Sequence, residues 1–130
     1  MEKTAYEKWL GRVTYDIETA EAMYTASRHI YTVFMCQQAI EKCFKALLAR
    51  KGLEIVPLHN LRRLAEMASI LKEISASDLK KLDFLSQFYL NARYKEDVEE
   101  LSLQVTADVA RDFLSFAKDK IAWLTLKIRQ

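Results

Sequence analysis

A chain of 130 residues, 51% hydrophobic and 29% charged with both signs interspersed, has the size and balance of one folded domain and excludes a disordered tail. The net charge of +2 says little about partners, and no apolar run approaches the roughly 20 residues needed to span a bilayer. With Met1-Glu2-Lys3-Thr4 unlike a signal peptide, we expect a cytoplasmic protein with no membrane association, folded as one domain over residues 1–130.

The first helix is predicted to begin at Thr4, because Thr4-x-x-Glu7 has the form of a capping box. Trp9, Val13, Ile17, Ala20 and Tyr24 then recur at spacings of four, four, three and four, which makes one apolar stripe. The stripe loses phase at Ser27-Arg28-His29, where a turn is expected, with His29 a surface residue of that turn. A second helix is predicted from Ile30 to Lys51. Val33, Cys36, Ile40, Phe44, Leu47 and Leu48 give it an apolar face. Gln37, Gln38, Glu41, Lys42 and Lys45 give it a polar one.

Glu41 stands four residues before Lys45, the favoured order for a helix ion pair, which at an exposed site contributes only ~0.3–0.5 kcal/mol. Gly52 is placed to end the helix in a left-handed cap, and Pro57 drives Val56 out of helical geometry, so 53–58 reads as a loop. A shorter helix follows from His59, with Leu61, Leu64, Ala65, Ala68 and Leu71 in helical phase. Ser75-Ala76-Ser77-Asp78 supplies caps for a fourth, which carries Leu79, Leu82, Leu85 and Phe88. Residues 91–104 are acidic and less regular, and the sequence leaves open whether 95–104 is ordered without a partner. The last helix is predicted from Val105, with Val109, Phe113, Ala117, Ile121, Leu124 and Ile128 turned inward. The fold class is therefore all-α, a four- to five-helix up-and-down antiparallel bundle.

The two cysteines, Cys36 and Cys43, lie seven apart on one helix. Their Cα atoms are then about 10.5 Å apart, beyond the roughly 7 Å a disulfide allows, so both read as small buried apolar residues. With no CxxC and no Cys/His cluster, neither a metal site nor a cofactor is expected. Nucleophile-elbow, P-loop and dinucleotide-fold glycine signatures are absent from a sequence holding two glycines forty-one residues apart. The stretch from Arg28 to Arg63 carries seven basic residues against two acidic ones, which suits either an anionic ligand or simply solvated helix faces.

Three stretches together resemble the HEPN family: Trp9 with Asp16 and Ala20; Phe34-Met35-Cys36-Gln37-Gln38-Ala39-Ile40-Glu41-Lys42 followed by Lys45-Ala46-Leu47-Leu48; and Tyr89-Leu90-Asn91-Ala92-Arg93-Tyr94, preceded by His59-Asn60-Leu61. Their order and spacing match that family across nearly the whole chain. The resemblance implies a helical bundle that commonly forms a homodimer. It also implies a minimal nucleotidyltransferase as partner, in a toxin–antitoxin-like pair. Ribonuclease members of the family carry an arginine, four to six residues, then a histidine. After Arg93 those positions hold Val98, Glu99 and Glu100. The departure favours a non-catalytic subunit that helps hold nucleotide or substrate. Two alternatives stand beside it: a degenerate ribonuclease using Arg93 with a base from elsewhere, such as His59, and a generic helical interaction module.

The candidate nucleotide- or partner-binding residues are Arg93, Tyr94, Gln38, Glu41, Lys42, Lys45 and His59; no catalytic residue is assigned. Arg93 has a planar fork suited to phosphate or carboxylate, or else pairs with Glu96, Asp97 or Glu100. Tyr94 reads as a stacking platform, an acceptor of a transferred group, or a half-buried aromatic. Gln38, Glu41, Lys42 and Lys45, with Gln37, make either a solvated face or a dimer or ligand seam. His59 caps or anchors the third helix. Nucleotide or RNA is the expected ligand class. A broad apolar arc on the last helix, with Val109, Phe113, Phe116 and Leu124, fits a face shared between core and partner.

Overall fold

The computed structural model describes residues 2–94 and 97–130, with Tyr94 described through its backbone alone. Among the described residues six α-helices form and no strand: α1 (Ala5–Thr25), α2 (His29–Arg50), α3 (Leu61–Met67), α4 (Ala76–Tyr94), α5 (Val98–Gln104) and α6 (Ala107–Ile128), with a 3-10 turn at Leu71–Glu73 between α3 and α4. This is one helix more than the upper expected number. The additional helix is α5, seven residues in the acidic stretch that lacks clear apolar periodicity. Asp97 caps it, accepting from the Glu100 amide at 2.9 Å, and Leu101 is its single buried residue.

The predicted capping chemistry is present at α1 and α4, whereas the cap of α3 is Asn60 and not the predicted His59. Thr4 and Glu7 form the reciprocal capping box of α1: the Glu7 amide donates to Thr4 Oγ1 at 3.3 Å and the Thr4 amide donates to Glu7 Oε1 at 3.0 Å. Asn60 caps α3 and Thr106 caps α6, each accepting from the third residue onward, and Ser75 Oγ accepts from the Asp78 amide at the start of α4. The third and last helices therefore begin two residues later than predicted.

Helix ends follow one pattern three times. After α2, Gly52 has φ 72°, its amide donates to the Ala49 carbonyl, and the Leu53 amide donates to the Leu48 carbonyl. This double hydrogen bond satisfies carbonyls that the helix leaves unpaired. Ser27 (φ 60°) after α1 and Ser69 (φ 62°) after α3 make the same pair of bonds without glycine.

Helix α2 is central. It packs against α1, α3, α4, α5 and α6, while α1 also meets α6 and α3 meets α4. A helix surrounded in this way must be apolar around most of its circumference. Accordingly Val33, Cys36, Ala39, Ile40, Cys43, Phe44, Ala46, Leu47 and Leu48 are all buried. The apolar arc of α6 turns inward: Leu124 and Phe116 are buried, and Phe113 stacks on Phe84 of α4 with ring centroids 5.0 Å apart. Among the described residues no helix is long and apolar enough to cross a membrane.

Candidate functional site

One stripe breaks the apolar surface of α2. Gln37, Glu41 and Lys45 follow one another at intervals of four, so they stack along one side of the helix. That side is covered rather than solvated: Gln37 is 0% exposed, Glu41 4% and Lys45 5%. Trp9 of α1 covers one end, with the Lys45 ammonium 5.8 Å from its ring centroid. The segment leading into α3 covers the other.

Glu41 is the hub. Its Oε2 accepts from Lys45 Nζ at 2.9 Å, and its Oε1 accepts from Gln37 Nε2 at 3.1 Å and from His59 Nδ1 at 2.9 Å. Gln37 Nε2 also donates to the His59 carbonyl at 3.0 Å, and Gln37 Oε1 accepts from Gln38 Nε2 at 2.6 Å. A buried carboxylate without donors would be costly; here three donors converge on it. Because an ionised carboxylate only accepts, Nδ1 of His59 carries the proton and, in the neutral ring, Nε2 is left as the basic nitrogen.

The backbone around His59 is fixed from both sides. Gln37 holds its carbonyl, Asn60 caps α3, and the Leu61 amide donates to the buried Ser86 Oγ at 3.0 Å. The His59 side chain stays 44% exposed, so the imidazole is anchored at one nitrogen and open to solvent elsewhere. Its ring lies 4.9 Å from that of Tyr89 on α4, which stacks on Phe34 of α2 at 5.4 Å. Arg93, one turn beyond Tyr89, has its guanidinium carbon 5.2 Å from the same ring, and its Nη1 donates to the tyrosine hydroxyl. His59 and Arg93 thus rest on one aromatic ring. At His59 a cleft of about 240 Å³ opens between Pro57, Leu58 and His59 on one wall and Ser86, Tyr89 and Leu90 on the other.

The structure therefore gathers Gln38, Glu41, Lys45, His59 and Arg93 into one connected network and adds Gln37 and Tyr89. Lys42 is not part of it. It pairs instead with the buried Asp16 of α1. The side chain of Tyr94 lies outside the described residues, as do Lys95 and Glu96, the latter a predicted partner of Arg93. The Glu41–Lys45 pair read as an exposed helix pair is instead buried, because Trp9 and the loop at His59 close over it. Tyr89 and Ser86 escaped notice as site residues; the one signal for Tyr89 was its place a helical turn before Arg93. His29, read as a surface turn residue, begins α2 and is partly buried, its ring 5.7 Å from that of Tyr24.

The family model for the HEPN domain matches residues 6–128. The chain belongs to the HEPN family. Two solved structures share the fold. One is ST0689, an archaeal HEPN homologue, with a TM-score of 0.76 and 24% identity over 98% of this chain and 99% of that one. The other is TT1696 from Thermus thermophilus, with a TM-score of 0.79 and 19% identity over 96% of this chain and 99% of that one. A comparison with curated proteins finds no significant match. In this HEPN chain the arginine at position 93 is followed by no histidine, yet the fold brings His59 to the same aromatic ring from thirty-four residues upstream.

Proposed function

We propose that this HEPN protein acts as a homodimeric subunit that binds a minimal nucleotidyltransferase and presents the Glu41–His59–Tyr89–Arg93 cluster to nucleotide, in a toxin–antitoxin-like pair. The observation that carries the ligand site is the buried Glu41 carboxylate, whose three donors fix His59 in the wall of a cleft and against the Tyr89 ring that Arg93 also contacts. Arg93 supplies a planar donor fork for phosphate, the Tyr89 ring keeps that fork oriented, and the cleft has room for a fragment the size of one base or one sugar phosphate. The partner assignment is supported by HEPN membership combined with the missing motif histidine. Co-purification of the tagged protein, followed by mass and nucleotide analysis, tests both parts. Recovery of a small nucleotidyltransferase, with nucleotide retained by the wild type and lost in Arg93→Ala, supports the reading. Recovery of neither sinks it.

A second reading is favoured by the Glu41–His59 contact itself. A carboxylate that holds Nδ1–H of an imidazole leaves Nε2 oriented as a general base. With Arg93 against the phosphate, His59 Nε2 would accept the 2′-hydroxyl proton of RNA as the 2′ oxygen attacks the adjacent phosphorus; the P–O5′ bond breaks and the 5′ oxygen takes a proton from water, giving a 2′,3′-cyclic phosphate and a 5′-hydroxyl end. Incubating the pure protein with RNA in the presence of a chelator tests this. Cleavage abolished in His59→Ala and Arg93→Ala, and reduced in Glu41→Gln, supports it. Absence of cleavage by the wild type leaves the non-catalytic reading.

A further inference from the structure

A second polar concavity runs along α1 to Lys42 of α2 and shares no lining residue with the cleft at His59. It is a cleft of about 610 Å³ that has Gly11 in its floor and is rimmed by Lys3, Lys8, Arg12, Tyr15 and Lys42. A smaller concavity continues it along the same helix, sharing Lys8 and Arg12 and adding Trp9. Cations and the ring of Tyr15 therefore line one groove.

Each of the two carboxylates in the cleft is already engaged. Glu7 accepts from the amide and hydroxyl of Thr4, at 3.0 and 2.8 Å, and the buried Asp16 pairs with Lys42. Among the described residues no carboxylate comes within ion-pair distance of Lys3, Lys8 or Arg12. Four cations against two carboxylates leave the cleft with two positive charges. The Arg12 guanidinium carbon sits 5.2 Å over the Trp9 ring, which limits its freedom and orients its donors. Tyr15 is 74% exposed, the most exposed aromatic ring among the described residues.

Gly11 is the second anomaly. It sits in the interior of a 21-residue helix, where glycine is the poorest helix former after proline. It does not have a positive φ, and a Cβ built on it would meet nothing within 4 Å. Neither backbone conformation nor internal packing of this chain calls for glycine there. Glycine leaves that stretch of the cleft open to close approach by a ligand.

We infer that this groove on α1 binds a single strand of nucleic acid, with phosphates at Lys3, Lys8 and Arg12, a base stacked on Tyr15, and the sugar-phosphate chain passing over Gly11. Cations beside an exposed ring are what a single strand can use, because its bases are free to stack and its charges are spaced along it. A duplex, whose bases are stacked inside, offers the ring nothing. The site is separate from the Glu41–His59 cluster and does not depend on the function proposed for it.

Fluorescence anisotropy with a labelled 12-nucleotide oligouridine tests the inference. Low-salt binding by the wild type is expected to weaken with salt at a slope of about −2.1 in log–log form, as three neutralised phosphates give. Tyr15→Ala is expected to weaken binding about tenfold through lost stacking, and Gly11→Leu to weaken it at least as much by filling the floor. Lys8→Glu/Arg12→Glu is expected to reduce affinity by more than tenfold. Arg111→Glu/Lys118→Glu, with the same charge change on α6, is expected to have less than a threefold effect. Thermal melts confirm that each variant folds. Free uridine monophosphate that displaces the strand at equal concentration would identify a mononucleotide as occupant and overturn the strand assignment. So would binding that falls equally in both charge-reversed pairs while Tyr15→Ala and Gly11→Leu leave it unchanged, or binding sensitive only to Arg93→Ala. A change of molecular mass in Gly11→Leu without loss of affinity would make the groove a contact between copies instead.

Discussion

Removing the ammonium of Lys45 is expected to destabilise the protein far more than loss of an ordinary helix ion pair. Lys45 Nζ lies 2.9 Å from Glu41 Oε2, and the two side chains are only 7% and 5% exposed. Lys45→Met preserves most of the volume and the contact with Trp9 but deletes the charge. Glu41 then keeps Gln37 and His59 as donors and loses its one permanent cation. Breaking a buried pair from one side costs about 3–5 kcal/mol, and the two surviving donors place this case near 3 kcal/mol. With an unfolding entropy of about 2.1 cal/mol/K per residue, a chain of 130 residues should melt roughly 10 °C lower. Glu41→Leu/Lys45→Met removes both charges and is expected to recover at least half of that loss, since apolar replacement of a whole buried pair is often close to neutral. Differential scanning calorimetry of the wild type, the single variants and the double variant measures this directly. A Lys45→Met shift below about 3 °C, or a double variant whose loss equals the sum of the singles, would refute the view that the stripe is buried and coupled.

Burial pushes both cysteine thiols up to about 12 from an ordinary 9.0. Below pH 9 both are protonated whether the chain is folded or unfolded, so neither affects stability there. Between about 9 and 12 the unfolded thiols ionise while the folded ones do not, and stability falls as pH rises. A thiol reagent at pH 8 is expected to leave the folded protein unlabelled and to label both cysteines in denaturant; rapid labelling of the folded state would contradict their burial. Arg62 Nε and Nη2 donate to the two carboxylate oxygens of Asp83 at 3.0 and 2.8 Å, and this hydrogen bonding holds the Asp83 carboxyl below its ordinary range. Both side chains are more than one-third exposed, so Asp83→Asn is expected to cost less than about 1 kcal/mol by urea denaturation. The stabilisation from this pair is present above the ordinary carboxylate pKa and fades as pH falls through the lowered one. Phe44→Ala, at a position 1% exposed on the central helix, is expected to cost about 3–5 kcal/mol; a loss below 1 kcal/mol would show that α2 is not the centre of the bundle.

The sequence by itself determined the helical class, the order of the helices, and the chemistry of several ends. Thr4 with Glu7, Ser75 and Gly52 act locally, through bonds that span only a few residues, so their roles can be read where they stand. The left-handed caps at Ser27 and Ser69 could not be read in the same way, because serine carries no preference for positive φ and the chain adopts it there to let α2 and the end of α3 turn back onto the core. Helix α5 escaped for a related reason: one buried residue, Leu101, makes no periodic signal. The motifs of the HEPN family were legible across the chain, down to the missing histidine after Arg93. Periodicity also placed Gln37, Glu41 and Lys45 on one side of α2, but it could not say what that side meets. Only the tertiary structure decided that Trp9 and His59 close over it, turning a face that reads as solvated into a buried polar network. The same holds for Tyr89, which belongs to the site because α2, α4 and the turn into α3 converge on its ring. Spacing along a chain fixes which side chains point together; burial and partners depend on elements far away in sequence, and those set the chemistry.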